Sequence, residues 1–402
     1  MAVLVHDLTG AAMVNERMHG GLRAEVWTDL GSVEALWRGM EAAPDCLGTP
    51  YQRFDWVAAY LRAGAEAGDL RVVVLRDAKG RPRLLLPLLV RREHGVRVAR
   101  VVGATHANYH LPLFAAREAA AIPAEDLTAL LVTVGREAGI DAYGLSHQPR
   151  AWDGAVNPLG LLRAEAAPSD AYGLMLGPDP EATVKRVFSA DARKKLRAKE
   201  KRLVESFGPV AYRRAACPDE AAAFLAAFYL RKSARFASLG IADPYAGEPI
   251  RRFLAAAAAA RETDGAPAIE LYALVARDSG RIFATFGGAV NADRFSGMMT
   301  AFDPDPEVAR SSPGDLLLQH LVRDQAARGR RAFDLGVGEA RYKASICDET
   351  IELVDAVIPV TLRGRAYGAA LRGRTRLKCR IKRSPRLWDW FQRARRLRAG
   401  PR

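Results

Sequence analysis

The chain has 402 residues, 49% apolar and 26% charged, with a net charge of +14. These proportions belong to a folded globular protein and exclude a disordered, collagenous or coiled-coil architecture. At ~100–200 residues per domain, the length predicts two or three domains. Four cysteines (Cys46, Cys217, Cys347, Cys379) without a C-x-x-C pair exclude a disulfide scaffold or zinc finger and predict reduced thiols.

Residues 1–21 read as a variable segment, and MAVLVHDLTGAAM lacks the basic region and apolar core of a secretory signal. LRAEVWTD (22–29) alternates as a strand. SVEALWRGMEAA (32–43) follows as a helix capped by Ser32, and YQRFDWVAAYLRAG (51–64) as another. Three strands come next, at 70–78, 81–93 and 96–104, with Gly80 and Gly95 at their turns. A helix near 124–138 and a strand at 140–146 close this half. Leu84–Val90 is the longest strongly apolar stretch, far short of the ~20 residues that span a bilayer. The expectation is a soluble, cytoplasmic protein.

Between the halves, residues 166–209 contain a basic helix. Lys185–Arg202 carries nine basic side chains against Asp191 and Glu200. The order then repeats: a strand at 210–217, helices at 219–238 and 249–263, strands at 269–278, 281–290 and 295–303. A helix at 314–329, a strand at 331–336 and a last strand at 351–360 follow. Strand, two helices, three strands, helix, strand thus occurs twice, which predicts a structural duplication with domains at 22–165 and 210–362. The expected class is α/β (α+β), two tandem units with mixed, largely antiparallel sheets. Three meandering strands with a helical crossover to a fourth are the topology of the GNAT acyltransferase fold, whose strand ends form a natural ligand crevice.

Residues 363–402 carry 13 Arg and two Lys against Asp389 alone, so the entire net charge lies there and residues 1–362 are neutral. Ser384-Pro385 ahead of RLWDWFQRARRLR is a helix start. Leu387, Trp388, Phe391 and Leu397 share a face there. It suits either an anionic membrane surface at the inner membrane or packing on the protein's own body. Both basic segments are also where RNA phosphates would bind.

Several stretches resemble the CelD/BcsL-type acetyltransferase-like family, a GNAT branch associated with cellulose and other polysaccharide biosynthesis and related in architecture to the FemABX peptidyltransferases. They are Thr49-Pro50-Tyr51-Gln52 with Asp55-Trp56, LRVVVLRDAKGRPRLLLPLLVRR, Gly103–Tyr109 with Pro112, the basic helix 189–203, Ser312–Leu317, and FDLGVGEARYK (333–343). The resemblance implies a tandem GNAT-like fold and acyl transfer from acetyl-CoA or another acyl-CoA to an amine or hydroxyl of a sugar or cell-envelope precursor. The alternatives are a FemABX-like transferase using charged tRNA and a catalytically degenerate scaffold beside a membrane polysaccharide synthase.

A diphosphate needs free N–H groups at a helix N-terminus. Arg310, Ser311, Ser312 and Gly314 stand directly before the helix at 314–329. Ser312 and Asp315 equally fit a capping box, while Pro313 removes a donor and Asp315 would repel phosphate. In the second cluster Asp334 ends a strand, Tyr342 is a candidate acid for a leaving thiolate, and Lys343 a candidate anion ligand. Glu339 is a general base only if buried. Trp56, Tyr109 and His110 are candidate substrate contacts, the aromatic set also fitting a core. No H-E-x-x-H, P-loop or G-x-S-x-G motif occurs, and the histidines are too dispersed for a metal site.

Overall fold

The expected strands form consecutive hairpins in a computed structural model that describes residues 3–5, 12–162, 164–259 and 266–384. The chain divides into two compact units. Among the described residues, the first comprises those up to Ala58, Glu66–Asp170 and Ile351–Ser384, and the second Ala59–Ala65 and Ala171–Thr350.

In the first unit, β1 (Val3–Val5), β2 (Ala12–His19), β3 (Leu22–Trp27), β4 (Asp69–Asp77), β5 (Pro82–Glu93) and β6 (Val96–Val101) pair in that order, all antiparallel. The β5–β6 turn is two residues long, and His94 and Gly95 both adopt positive φ (51° and 82°). That geometry matches the twist of a tight hairpin. β7 (Leu113–Phe114) adds to β5, and β6 runs parallel to β8 (Ala142–Pro149). A small hairpin, β9 (Ala151–Trp152) and β10 (Ala155–Val156), leads to β11 (Ala164–Ala166) at the sheet edge.

Helices α1 (Leu30–Glu41), α2 (Phe54–Arg62) and α3 (Ala124–Glu137) complete the sequence-local part. The cap of α1 is Asp29 rather than the expected Ser32. The Asp29 carboxylate accepts from both the N–H (2.7 Å) and the hydroxyl (2.9 Å) of Ser32, so the helix starts two residues earlier.

The second unit repeats this plan. Its sheet runs β13 (Val210–Arg214), β14 (Ile269–Ala276), β15 (Ile282–Val290), β16 (Arg294–Phe302), β17 (Ala332–Val337), β12 (Ala171–Met175) and β18 (Glu349–Ile351). As in the first sheet, one internal pair, here β16 with β17, is parallel. Its helices are α4 (Pro180–Val187), α5 (Ala190–Phe207), α6 (Pro218–Ser238), α7 (Glu248–Ala258), α8 (Pro306–Ala309), α9 (Pro313–Ala327) and α10 (Arg341–Ile346). Leu316, Leu317, Leu321 and Val322 of α9 pack with Phe283, Phe295 and Phe333 of the sheet in one core.

The sequence order conceals one feature. The strand expected to end the second repeat, β19 (Leu353–Pro359), lies in the first sheet, antiparallel between β8 and β11. Conversely β12, which precedes the second repeat, lies between β17 and β18. The two sheets therefore exchange strands. The segment read from charge as a tail begins as α11 (Leu362–Arg383), which packs on β19, β6 and β8 of the first unit. The expected helix after Ser384-Pro385 falls outside the described residues.

Candidate functional site

The parallel pair of the second unit stays in register for three residues only: Arg294 with Ala332, Phe295 with Phe333, Ser296 with Asp334. Beyond that point the two strands have no paired register. β16 bulges immediately afterwards: Gly288 pairs with Gly297 and Gly287 with Met299, leaving Met298 as the extra residue. Bulges of this kind re-aim a strand beside a site. Glycine is obligatory opposite it, because a Cβ on Gly288 would come within 2.5 Å of the Phe295 ring.

At the apex, Asp334 is fully buried. Its Oδ2 accepts from the Ser296 hydroxyl, and its Oδ1 accepts from the Gly336 N–H (3.1 Å). Arg294, itself buried, holds Nη1 3.8 Å from Asp334 Oδ2 and 3.3 Å from Glu349 Oε2. Lys343 is also buried, and its Nζ donates to the carbonyls of Gly336 (3.0 Å) and Val337 (3.4 Å). Burial pushes its ammonium down, against opposing pulls from Cys347 and Asp334. Lys343 thus fastens the end of β17, which makes it a positioning group rather than a free anion ligand. Tyr342 is 45% exposed, and burial, then Cys347 and Asp315, push its phenol up. Glu339 is exposed, so the buried setting a general base needs there is missing.

The helix after β16 begins beside two cations. Ser312 takes a left-handed conformation (φ 45°, ψ 60°), uncommon for a non-glycine residue, as the chain turns from α8 into α9. Its hydroxyl makes no capping bond. Instead it accepts from Lys199 Nζ (2.7 Å), which also lies 3.8 Å from the Asp315 carboxylate. The expected capping box is therefore replaced by a lysine that offsets the acid at the helix start. Arg202 Nη1 donates to the Arg310 carbonyl (3.5 Å). Both cations come from α5, whose buried Leu196 and Leu203, seven residues apart, set the face that meets α9. Among the described residues, the Gly314 N–H has no hydrogen-bond acceptor. A Cβ there would touch nothing closer than Phe302 at 4.0 Å. The Ser311 hydroxyl is buried without a partner, and Arg310 is exposed. An uncapped amide, a glycine surface and adjacent cations fit a diphosphate even with Pro313 in place.

The candidate substrate contacts of the first unit lie elsewhere. Trp56 and Tyr109 are completely buried and His110 nearly so. Tyr51 packs edge-on against both Trp56 (5.6 Å) and Tyr109 (5.9 Å), and Tyr109 also meets Trp152 (4.8 Å). His110 stacks on His147 (5.8 Å) and its Nδ1 lies 2.9 Å from the Ser146 carbonyl. Burial, reinforced by His147, pushes its imidazole down to about 3. These three side chains form a sealed core instead of lining an open site. Among the described residues, no group of His, Cys, Asp and Glu could hold a metal ion. Arg294, Ser296 and Lys199 are the polar residues that sequence reasoning did not single out. Lys199 was legible in principle, since it sits three residues after Leu196 and four before Leu203, on the face those leucines bury.

Residues 190–344, from α5 to α10, match the acetyltransferase (GNAT) domain family. The second unit therefore carries an acyltransferase domain of the GNAT type. No protein of curated function matches the sequence. Among solved structures, FemX is similar with a TM-score of 0.54 and 10% identity, over 83% of this chain and 97% of that one. The C-terminal domain of a putative lysylphosphatidylglycerol synthetase from Agrobacterium fabrum scores 0.47 at 13% identity, over 85% and 97%. A tandem GNAT protein from the clavulanic acid biosynthesis pathway scores 0.44 at 13% identity, over 85% and 99%. Identities this low make the likeness to FemX one of fold.

Proposed function

We propose that the second unit transfers an acyl group, acetyl foremost, from an acyl-CoA to an amine or hydroxyl of a sugar or cell-envelope precursor. The observation that carries this reading is the open start of α9 beside the diverging ends of β16 and β17, with Lys199 and the unused Gly314 amide placed there together. Gly314, Lys199 and Arg310 would hold the donor diphosphate. A backbone amide at the Met298 bulge is the group we assign to the oxyanion, since preorganised donors are the largest lever in acyl transfer. The acceptor's lone pair attacks the thioester carbon, the carbon–sulfur bond breaks, and the acceptor releases its proton to water. Tyr342, kept protonated by its surroundings, gives its phenolic proton to the departing sulfur and is reprotonated from solvent. The resemblance to the CelD/BcsL-type family supports a polysaccharide-related acceptor.

The fold likeness to FemX favours a second reading, transfer of an aminoacyl group from charged tRNA to the same class of acceptor. Lys199→Glu separates the two. Under the acyl-CoA reading it weakens acetyl-CoA binding by calorimetry about a hundredfold, or roughly 2.7 kcal/mol, while circular dichroism shows the chain still folded. Undetectable acetyl-CoA binding by the unaltered chain, with acceptor modification that needs charged tRNA, would replace the first reading with the second.

A further inference from the structure

α11 is held to the first unit by one face. Gly364, Gly368 and Thr375 are buried along it, and a Cβ on Gly364 would collide with the Asp141 carbonyl. Between them, the Tyr367 hydroxyl donates to Glu93 Oε2 (2.6 Å) and accepts from Arg100 Nη2 (2.6 Å). These contacts fix the rotation of the helix and thereby its outer face.

That outer face is not uniformly basic. Leu362, Ala366, Ala369, Gly373 and Leu377 recur at helical spacing opposite the buried glycines, and all are exposed, Leu362 at 78% and Leu377 at 59%. Exposed Arg365 and Arg376 border this stripe on one side, Arg363 and Arg374 on the other. Of the four, Arg376 is engaged by Glu165 (2.6 Å). No acid occurs between Leu362 and Arg383. An outward apolar stripe between two rows of arginine is the layout of a helix lying in a lipid interface, its apolar side in the acyl boundary and its cations on the headgroups. RNA would use the arginines but gains nothing from bare leucines. None of the described helices is long and apolar enough to cross a membrane.

We propose that the outer face of α11 seats the protein on anionic phospholipid. The test is flotation of the full chain with vesicles of phosphatidylcholine containing phosphatidylglycerol, and with phosphatidylcholine alone. The chain is expected to bind the anionic vesicles at least about tenfold more tightly than the neutral ones. Leu362→Ser with Leu377→Ser keeps every charge, including those after residue 384, and is expected to lose about tenfold in affinity at an unchanged melting temperature. Arg363→Gln with Arg374→Gln gives an independent loss with a weaker salt dependence. Wild-type binding by the serine variant, absence of vesicle binding, or a tighter grip on a tRNA-sized RNA than on the anionic vesicles each overturns the proposal.

Discussion

The two sheets share one strand plan and differ at the parallel pair. In the first unit, Arg100 occupies the third pairing position opposite Gly144, and its guanidinium fills the space where a Gly144 side chain would be. It is locked by Glu93, held well below the usual carboxylate range by Arg100, by the Tyr367 hydroxyl of α11 and by Arg91. The chain that follows carries the sealed Tyr109–His110 core, and α3 starts more than twenty residues after β6. In the second unit the same position holds Ser296 opposite Asp334, and α9 starts about ten residues after β16 with its first amide unused. Topology alone therefore does not make a site. What separates the two parallel pairs is the identity of a few side chains at one pairing position and the length of the connection to the next long helix, α3 or α9.

The contrast can be broken by mutation. The largest expected effect is at the second unit's apex. Asp334→Ala removes the buried acceptor of the Ser296 hydroxyl and the Gly336 N–H and one of the two carboxylates beside Arg294. It should cost roughly 3–5 kcal/mol in urea unfolding, the usual penalty for removing one partner of a buried charged pair. A loss under about 1 kcal/mol would show that the apex is solvated and not a tight joint.

Next comes the pH response of the first unit. Burial pushes the Glu41 carboxyl up to about 7, although it accepts from the Phe54 N–H. Its folded form holds the proton more tightly than the unfolded chain does. Stability from this group is therefore lost as pH rises from the ordinary carboxyl value towards 7. His110, pushed down to about 3, acts in the opposite sense, since stability is lost as pH falls below the ordinary imidazole value. Glu41→Gln should raise stability at pH 8 by up to roughly 2–3 kcal/mol and leave it unchanged below pH 4. Equal effects at both pH values would place Glu41 in contact with water.

The smallest effect tests the sealed core directly. Tyr109→Phe should leave acyl transfer within about twofold of wild type, under roughly 0.5 kcal/mol. A tenfold rise in acceptor KM would return Tyr109 to substrate binding.

Most of the element order was legible because alternation and helical spacing are local signals. RIFATFGGAV and FSGMMTAFD read as strands whatever they pair with, and they are strands. Partnership was not legible. IELVDAVIPV is apolar enough for either sheet, and nothing in it reports that β8, two hundred residues earlier, is its neighbour. A shorter separation hides the apex too, since Ser296 and Arg294 look like ordinary strand residues until Asp334, 38 residues after Ser296, is placed beside them. The start of α9 is read from its unsatisfied helix end, and among the described residues the Gly314 amide there has no acceptor. Its lysine was lost in a run of nine cations that only the Leu196–Leu203 spacing distinguishes.

The exchanged strand also sets a timetable for synthesis. Until Leu353–Pro359 leaves the ribosome, β8 has an open hydrogen-bonding edge next to a finished sheet. About two hundred residues must be translated in the meantime, roughly 10–40 s at ~5–20 residues per second. Such an edge invites pairing with a neighbouring nascent chain. The dependence of this protein on chaperones in the cell should accordingly concentrate in that interval, and permuting the gene so that β19 is made before β3 would remove it.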